Sequence, residues 1–168
     1  MPKVREYRES TEYRAIMEKL LECRADLVGI DPEKILVLEN LTDKKRWVAR
    51  MVRVCYPYNL LQPGTEFILE VSAKWVEFMK MGPKNKALLI YHELLHIGRT
   101  KDGGYCLVDH TLKDFSNLIE KCGVHWEVKE DVPDILAESE AQKDAVQEIK
   151  RIYAAAFNPS AVSPSSSS

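Results

Sequence analysis

Nothing in the 168 residues approaches the length of apolar chain needed to cross a bilayer, and neither charge sign dominates, the formal net charge being −2. The first absence argues against a membrane-spanning helix. The second argues against a global electrostatic grip on nucleic acid, although local basic clusters stay open. Paired cysteines are missing as well. Cys23, Cys55, Cys106 and Cys122 are scattered without a C-x-x-C pair, so they read as free thiols rather than a zinc knuckle or a disulfide framework. The start, Met1-Pro2-Lys3-Val4-Arg5-Glu6-Tyr7, lacks the apolar core of a signal peptide, and a cytoplasmic protein with no membrane partner is expected. No internal repeat is visible. What is present, 45% hydrophobic and 30% charged residues, is the composition of an ordinary globular chain. We expect one domain over residues 1–157 and a disordered Ser/Pro-rich tail over 158–168.

Histidine is scarce, four in the chain, yet two of the four stand in one short stretch, Tyr91-His92-Glu93-Leu94-Leu95-His96-Ile97-Gly98. Positions i and i+4 share a helix face, so both imidazoles can converge on one metal ion, while Glu93 stands beside the site within reach of a coordinated water. At this chain's own His and Glu frequencies about 0.01 chance matches to H-E-x-x-H are expected, which makes accident a poor explanation. The surrounding residues, Ala87 to Leu95, are apolar nearly all round. A buried helix carrying two histidines and a glutamate needs something to satisfy them, and a metal ion does so.

The rest of the chain supplies a frame. Apolar residues at helical spacing predict an amphipathic helix over 10–28, capped by Ser10 or Thr11. Short strands are expected at 35–38, 47–55 and 66–71, the last alternating like a half-exposed edge on which an extended peptide could add. Residues 72–81 are ambiguous between helix and loop. The metal helix is expected over 84–97 with Gly98 as its C-terminal cap, then helices over 111–121, ended by Gly123, and over 134–157. The fold class is therefore α+β, a small mainly antiparallel sheet packed on a buried helix, with helices at both ends.

A catalytic zinc site usually takes three protein ligands and leaves one position for water. His110, His125, Asp109, Asp114, Glu127 and Glu130 are the downstream candidates for the third ligand, and His110 is preferred. His92, His96 and His110 would hold Zn²⁺, and Glu93 would serve as general base and then as acid toward a leaving amine. Asp109 and Asp114 are candidates to orient the imidazoles through their other ring nitrogen; Tyr105, Arg99 and His125 are candidates to stabilise an oxyanion. Two other readings stand beside peptide hydrolysis. One is a non-catalytic, zinc-stabilised binding or regulatory protein; the other is a metal-dependent hydrolase of a non-peptide substrate. A purely structural site has no use for Glu93 and normally fills all four coordination positions with protein ligands, which favours the enzyme.

Together, the helix motif and the later Asp109-His110-Thr111-Leu112-Lys113-Asp114-Phe115 resemble the metallopeptidase family found in phages and other mobile elements, a zincin-like group. Its pattern is an H-E-L-x-H helix followed by a short excursion to a third histidine that opens a helix carrying a phenylalanine. The resemblance, over residues 10 to 126, implies a zinc peptidase with His110 as third ligand, Phe115 in the core and a protein or peptide substrate. Thr111 departs from the pattern, where the family often has Asp, and this puts one contact around the ligands in doubt. The arrangement is similar, more distantly, to the SprT-like proteases, which act on DNA-crosslinked proteins; the C-terminal cysteine zinc ribbon many of them carry is missing here. The metzincin pattern fails, because residues 99–109 contain no histidine.

Overall fold

The computed structural model describes residues 6–42, 47–55, 57, 60, 62–110, 114–137 and 142–157. The expected tail over 158–168 lies outside them. Helix α1 (Thr11–Cys23) begins where Ser10 accepts a hydrogen bond from the Tyr13 backbone N–H, and it buries Tyr13, Met17, Leu20 and Leu21 along one stripe. Strand β1 (Tyr7–Glu9) precedes it; β2 (Ile35–Asn40), β3 (Ala49–Arg53) and β4 (Phe67–Ser72) follow. The sheet order is β1-β2-β4-β3. β2 and β4 run parallel, and the two outer pairings are antiparallel, so the sheet is mixed.

This order corrects the expectation for residues 66–71. β4 is the interior strand, not an edge, with Phe67, Leu69 and Val71 buried on the core face. Glu70, which suggested a half-exposed strand, is itself 7% exposed because Arg50 of β3 lies opposite and hydrogen-bonds its carboxylate at 2.9 Å. Cross-strand pairing satisfied the charge that alternation alone had assigned to solvent. Among the described residues β1 and β3 are the edges.

Residues 72–81 resolve into α2 (Ala73–Phe78) and a turn through Lys80, which adopts positive φ. α3 (Pro83–Leu95) opens on Pro83 at its first turn and packs against α1 on one side and β3 on another. It ends at Leu95, two residues before the expected Ile97, with His96 as its C-terminal cap residue. Gly98 is no cap: it sits inside β5 (Ile97–Arg99), which pairs with β6 (Tyr105–Leu107) as a separate hairpin. A Cβ at Gly98 would collide with the Val108 side chain and come within 3.2 Å of Cys106 Sγ, so what the position requires is the absence of a side chain. Both later helices begin after the start their apolar spacing implied, and of the expected stretches residues 111–113 and 138–141 lie outside the described residues. α4 spans Ser116–Cys122, ended by Gly123 at φ 71. α5 spans Lys143–Phe157, and at the expected start the chain instead turns, Asp134 accepting the Leu136 and Ala137 N–H groups on its side chain. None of the helices among the described residues is long and apolar enough to cross a membrane.

Candidate metal centre

α3 carries His92 and His96 to a cleft bounded by β3 and by the strand end after β6. Its lining includes Ala49, Arg50, Met51, Glu93, Leu107 and Asp109, together with His92, His96 and His110. The hairpin explains how His110 arrives. β5 and β6 fold back on each other, and the ladder is extended by one more pair, the Val108 N–H donating to the His96 carbonyl at 2.8 Å. Two residues later His110 stands over the helix, its Nε2 2.9 Å from His92 Nε2.

The imidazole nitrogens of His92, His96 and His110 lie within 4.8 Å of one another. On a tetrahedral zinc with Zn–N near 2.1 Å, two such nitrogens stand about 3.4 Å apart, a value inside the observed spread. The outward nitrogens of His92 and His96 each face an oxygen, His96 through a hydrogen bond and His92 through a close approach that is not aligned as one. His92 Nδ1 lies 2.8 Å from Asp114 Oδ1, and His96 Nδ1 lies 2.7 Å from the Val108 carbonyl oxygen, which leaves both Nε2 atoms turned inward as lone-pair donors. Burial holds His92 neutral, its pKa lowered to about 4 against the opposing pull of Asp114, with His110 and His96 adding to the fall. Burial and the neighbouring His96 lower His110 in the same direction. Neutral imidazoles are the form that binds metal. The donor set and its outer partners therefore fit a divalent cation.

Glu93, 5% exposed, borders the same cleft. Burial pushes its carboxyl up to about 8; the Met51 backbone N–H pulls the value down only partly, and Asp114 adds to the rise. Phe115 is not simply core. It is half-buried and packs edge-on against all three imidazoles, with ring centroids 4.9 to 5.4 Å away.

The remaining candidates are spread through the fold. Asp109 lines the cleft, and Asp114 supports His92. Arg99 and Tyr105 are engaged elsewhere: the guanidinium stacks 3.7 Å over the Tyr105 ring and bonds the Gly103 and Gly29 carbonyls, while the Tyr105 hydroxyl donates to Gly29 O and accepts from Asp31 N. They pin the hairpin to the Gly29 turn. His125 is exposed in a left-handed conformation, and Glu127 and Glu130 border a different hollow beside Lys80 and Asn85. Thr111 lies outside the described residues. Sequence reasoning had no means of finding the Val108 carbonyl, a backbone group whose position depends on the hairpin. Asn85, an amide on the buried helix seven residues before His92, did carry a signal.

A three-histidine cluster able to hold a metal, set beside a buried carboxylate in an α+β frame, has the donor chemistry of a metal-dependent hydrolase. The family model described as "Putative phage metallopeptidase" matches residues 5–150, and the chain belongs to that family. No curated protein and no solved structure matches it.

Proposed function

We propose that the chain is a zinc-dependent peptidase of zincin-like fold, one domain over residues 1–157 acting in the cytoplasm, with His92, His96 and His110 as ligands and Glu93 as base. The observation that carries this reading is the convergence of three imidazoles next to a buried glutamate along the outer side of β3. Zinc bound there supplies charge that acidifies a water, polarises the scissile carbonyl and favours the ionised form of Glu93. Glu93 takes the water's proton on its carboxylate and passes it to the leaving nitrogen. Asp114 and the Val108 carbonyl hold His92 and His96 in the tautomer that points Nε2 inward. β3, an edge whose residues Ala49, Arg50 and Met51 line the cleft, offers an extended peptide a strand to pair with; the expectation had placed that platform on β4, which has no free edge.

The test measures bound zinc and peptide cleavage side by side in wild type, Glu93→Gln and His110→Ala. Glu93→Gln should keep its zinc and lose about 10²- to 10⁴-fold in cleavage rate, the usual worth of a general base. His110→Ala should lose zinc. Cleavage surviving in Glu93→Gln would refute the mechanism, and full occupancy in His110→Ala would remove that residue from the ligand set.

A further inference from the structure

Behind His92 runs a chain of contacts that begins and ends on α3: hydrogen bonds lead from Asn85 to Asp114, and an approach of 2.8 Å between Asp114 Oδ1 and His92 Nδ1, close but not aligned as a hydrogen bond, closes it. Asn85, in the first turn of that helix and 7% exposed, donates its side-chain amide to the carbonyls of Trp126 and Lys129 at 2.9 Å each, with the Glu127 carbonyl at 3.4 Å. His125, at φ 59, reverses the chain just before Trp126, whose ring is turned inward and 2% exposed. The indole Nε1 donates to Asp114 Oδ2 at 2.7 Å. The other carboxylate oxygen takes the Phe115 N–H at 2.7 Å and lies 2.8 Å from His92 Nδ1. Asn85 and His92 stand seven residues apart, two helical turns on one face, so both ends of the circuit rest on one rigid element.

The geometry leaves little slack. An indole has a single N–H, and burying it unpaired is costly, so Trp126 and Asp114 hold each other in one arrangement. Asp114 lies before α4 begins and outside every helix and strand; its side chain is held by what it bonds. His96 offers a built-in comparison, since its Nδ1 meets the Val108 carbonyl and owes nothing to this circuit.

We propose that Asn85 and Trp126 are positioning residues for the metal-binding imidazole of His92. Asn85 anchors the backbone of residues 126–129, Trp126 fixes the Asp114 carboxylate, and Asp114 sets the tautomer and aim of His92. This rests on the metal-site reading above and adds the residues on which one ligand's orientation depends.

Trp126→Phe is the decisive variant, because it keeps an aromatic ring in the core while removing the donor, and the smaller ring's effect on packing is read separately from the melting temperature of the metal-free protein. Zinc affinity of the full chain is measured by competition with a chromophoric chelator, and the imidazole Nδ1–H signals of the zinc-bound protein are followed by NMR. Zinc binding should weaken by about tenfold, the lower range for loss of a partner behind a metal ligand. The His92 Nδ1–H signal should move while that of His96 stays. Asn85→Ala should act in the same direction; should it fail to fold, Trp126→Phe alone decides. Wild-type affinity with both signals unmoved overturns the proposal. So does a change that moves both signals together with a lower melting temperature of the metal-free protein, since that describes general loosening. A wild-type chain that binds no zinc removes the metal reading and this proposal with it. A chain that binds zinc but cleaves no peptide removes only the peptidase reading, and the positioning roles are still decided by the affinities.

Discussion

Gly98 is where a single missing methyl group carries most consequence. Its neighbours Val108 and Cys106 close over the Cα, and neither contact is with the far end of a flexible chain. Gly98→Ala should therefore push β5 from β6 and destabilise the protein by about 1–3 kcal/mol, the usual cost of overpacking, measured by urea unfolding. Zinc affinity should fall as well, because the displaced hairpin carries the Val108 carbonyl and His110; an alanine variant with wild-type stability would show that the hairpin yields freely. Asp26 makes a pH-dependent case. Burial raises its pKa, but hydrogen bonds from Arg24 and from the Tyr91 hydroxyl at 2.5 Å, with the guanidinium's charge, outweigh that and bring the value below the ordinary aspartate range. A depressed folded pKa contributes stability above the unfolded value, near 3.9, that is lost as pH falls through the folded one. Asp26→Asn should thus melt lower than wild type at pH 7, and the gap should shrink below about pH 4. Thermal melts at the two pH values check this, and a gap independent of pH would count against it.

Among the elements, the proposed function gives β3 the substrate and α3 the metal. α3 is anchored by Leu88, Ile90 and Leu94, all fully buried, so the rotation that aims its histidines is set by packing. Leu94→Ala, next to Glu93, should cost about 2–5 kcal/mol in unfolding experiments on the metal-free protein. β3 lies at an edge of the sheet, and its residues Ala49, Arg50 and Met51 line the cleft. If a substrate pairs with it, methylating the peptide nitrogens adjacent to the scissile bond removes the donors for that ladder, and KM should rise about tenfold or more, since each lost hydrogen bond costs about 1 kcal/mol. Methylated peptides cleaved as readily as their parents would rule out β3 as the platform.

At the scale of the whole molecule, zinc should couple to folding, because the ligands come from a helix and from the segment after a hairpin and meet only in the folded chain. Free zinc at a hundred times its dissociation constant should add about 2.7 kcal/mol to the unfolding free energy, visible as a higher melting temperature that a chelator abolishes. His110→Ala should show a much smaller gain. The long-range form of the fold also marks the limit of what could be read from the chain. α1, its Ser10 cap, the buried metal helix and the spacing of His92, Glu93 and His96 were legible, because helix periodicity and capping are local and each residue's neighbours are its own sequence neighbours. The interior place of β4, the pairing of Glu70 with Arg50, the engagement of Arg99 and Tyr105 away from the cleft and the circuit from Asn85 to Asp114 were not. Each depends on which distant segment lies alongside, and strand order and the meeting of loops arise from the three-dimensional burial of the whole chain. The sequence by itself determined that two histidines and a glutamate share a buried helix. Only the tertiary structure decided which groups stand behind them, because a hydrogen-bond partner 12 or 41 residues away is chosen by packing.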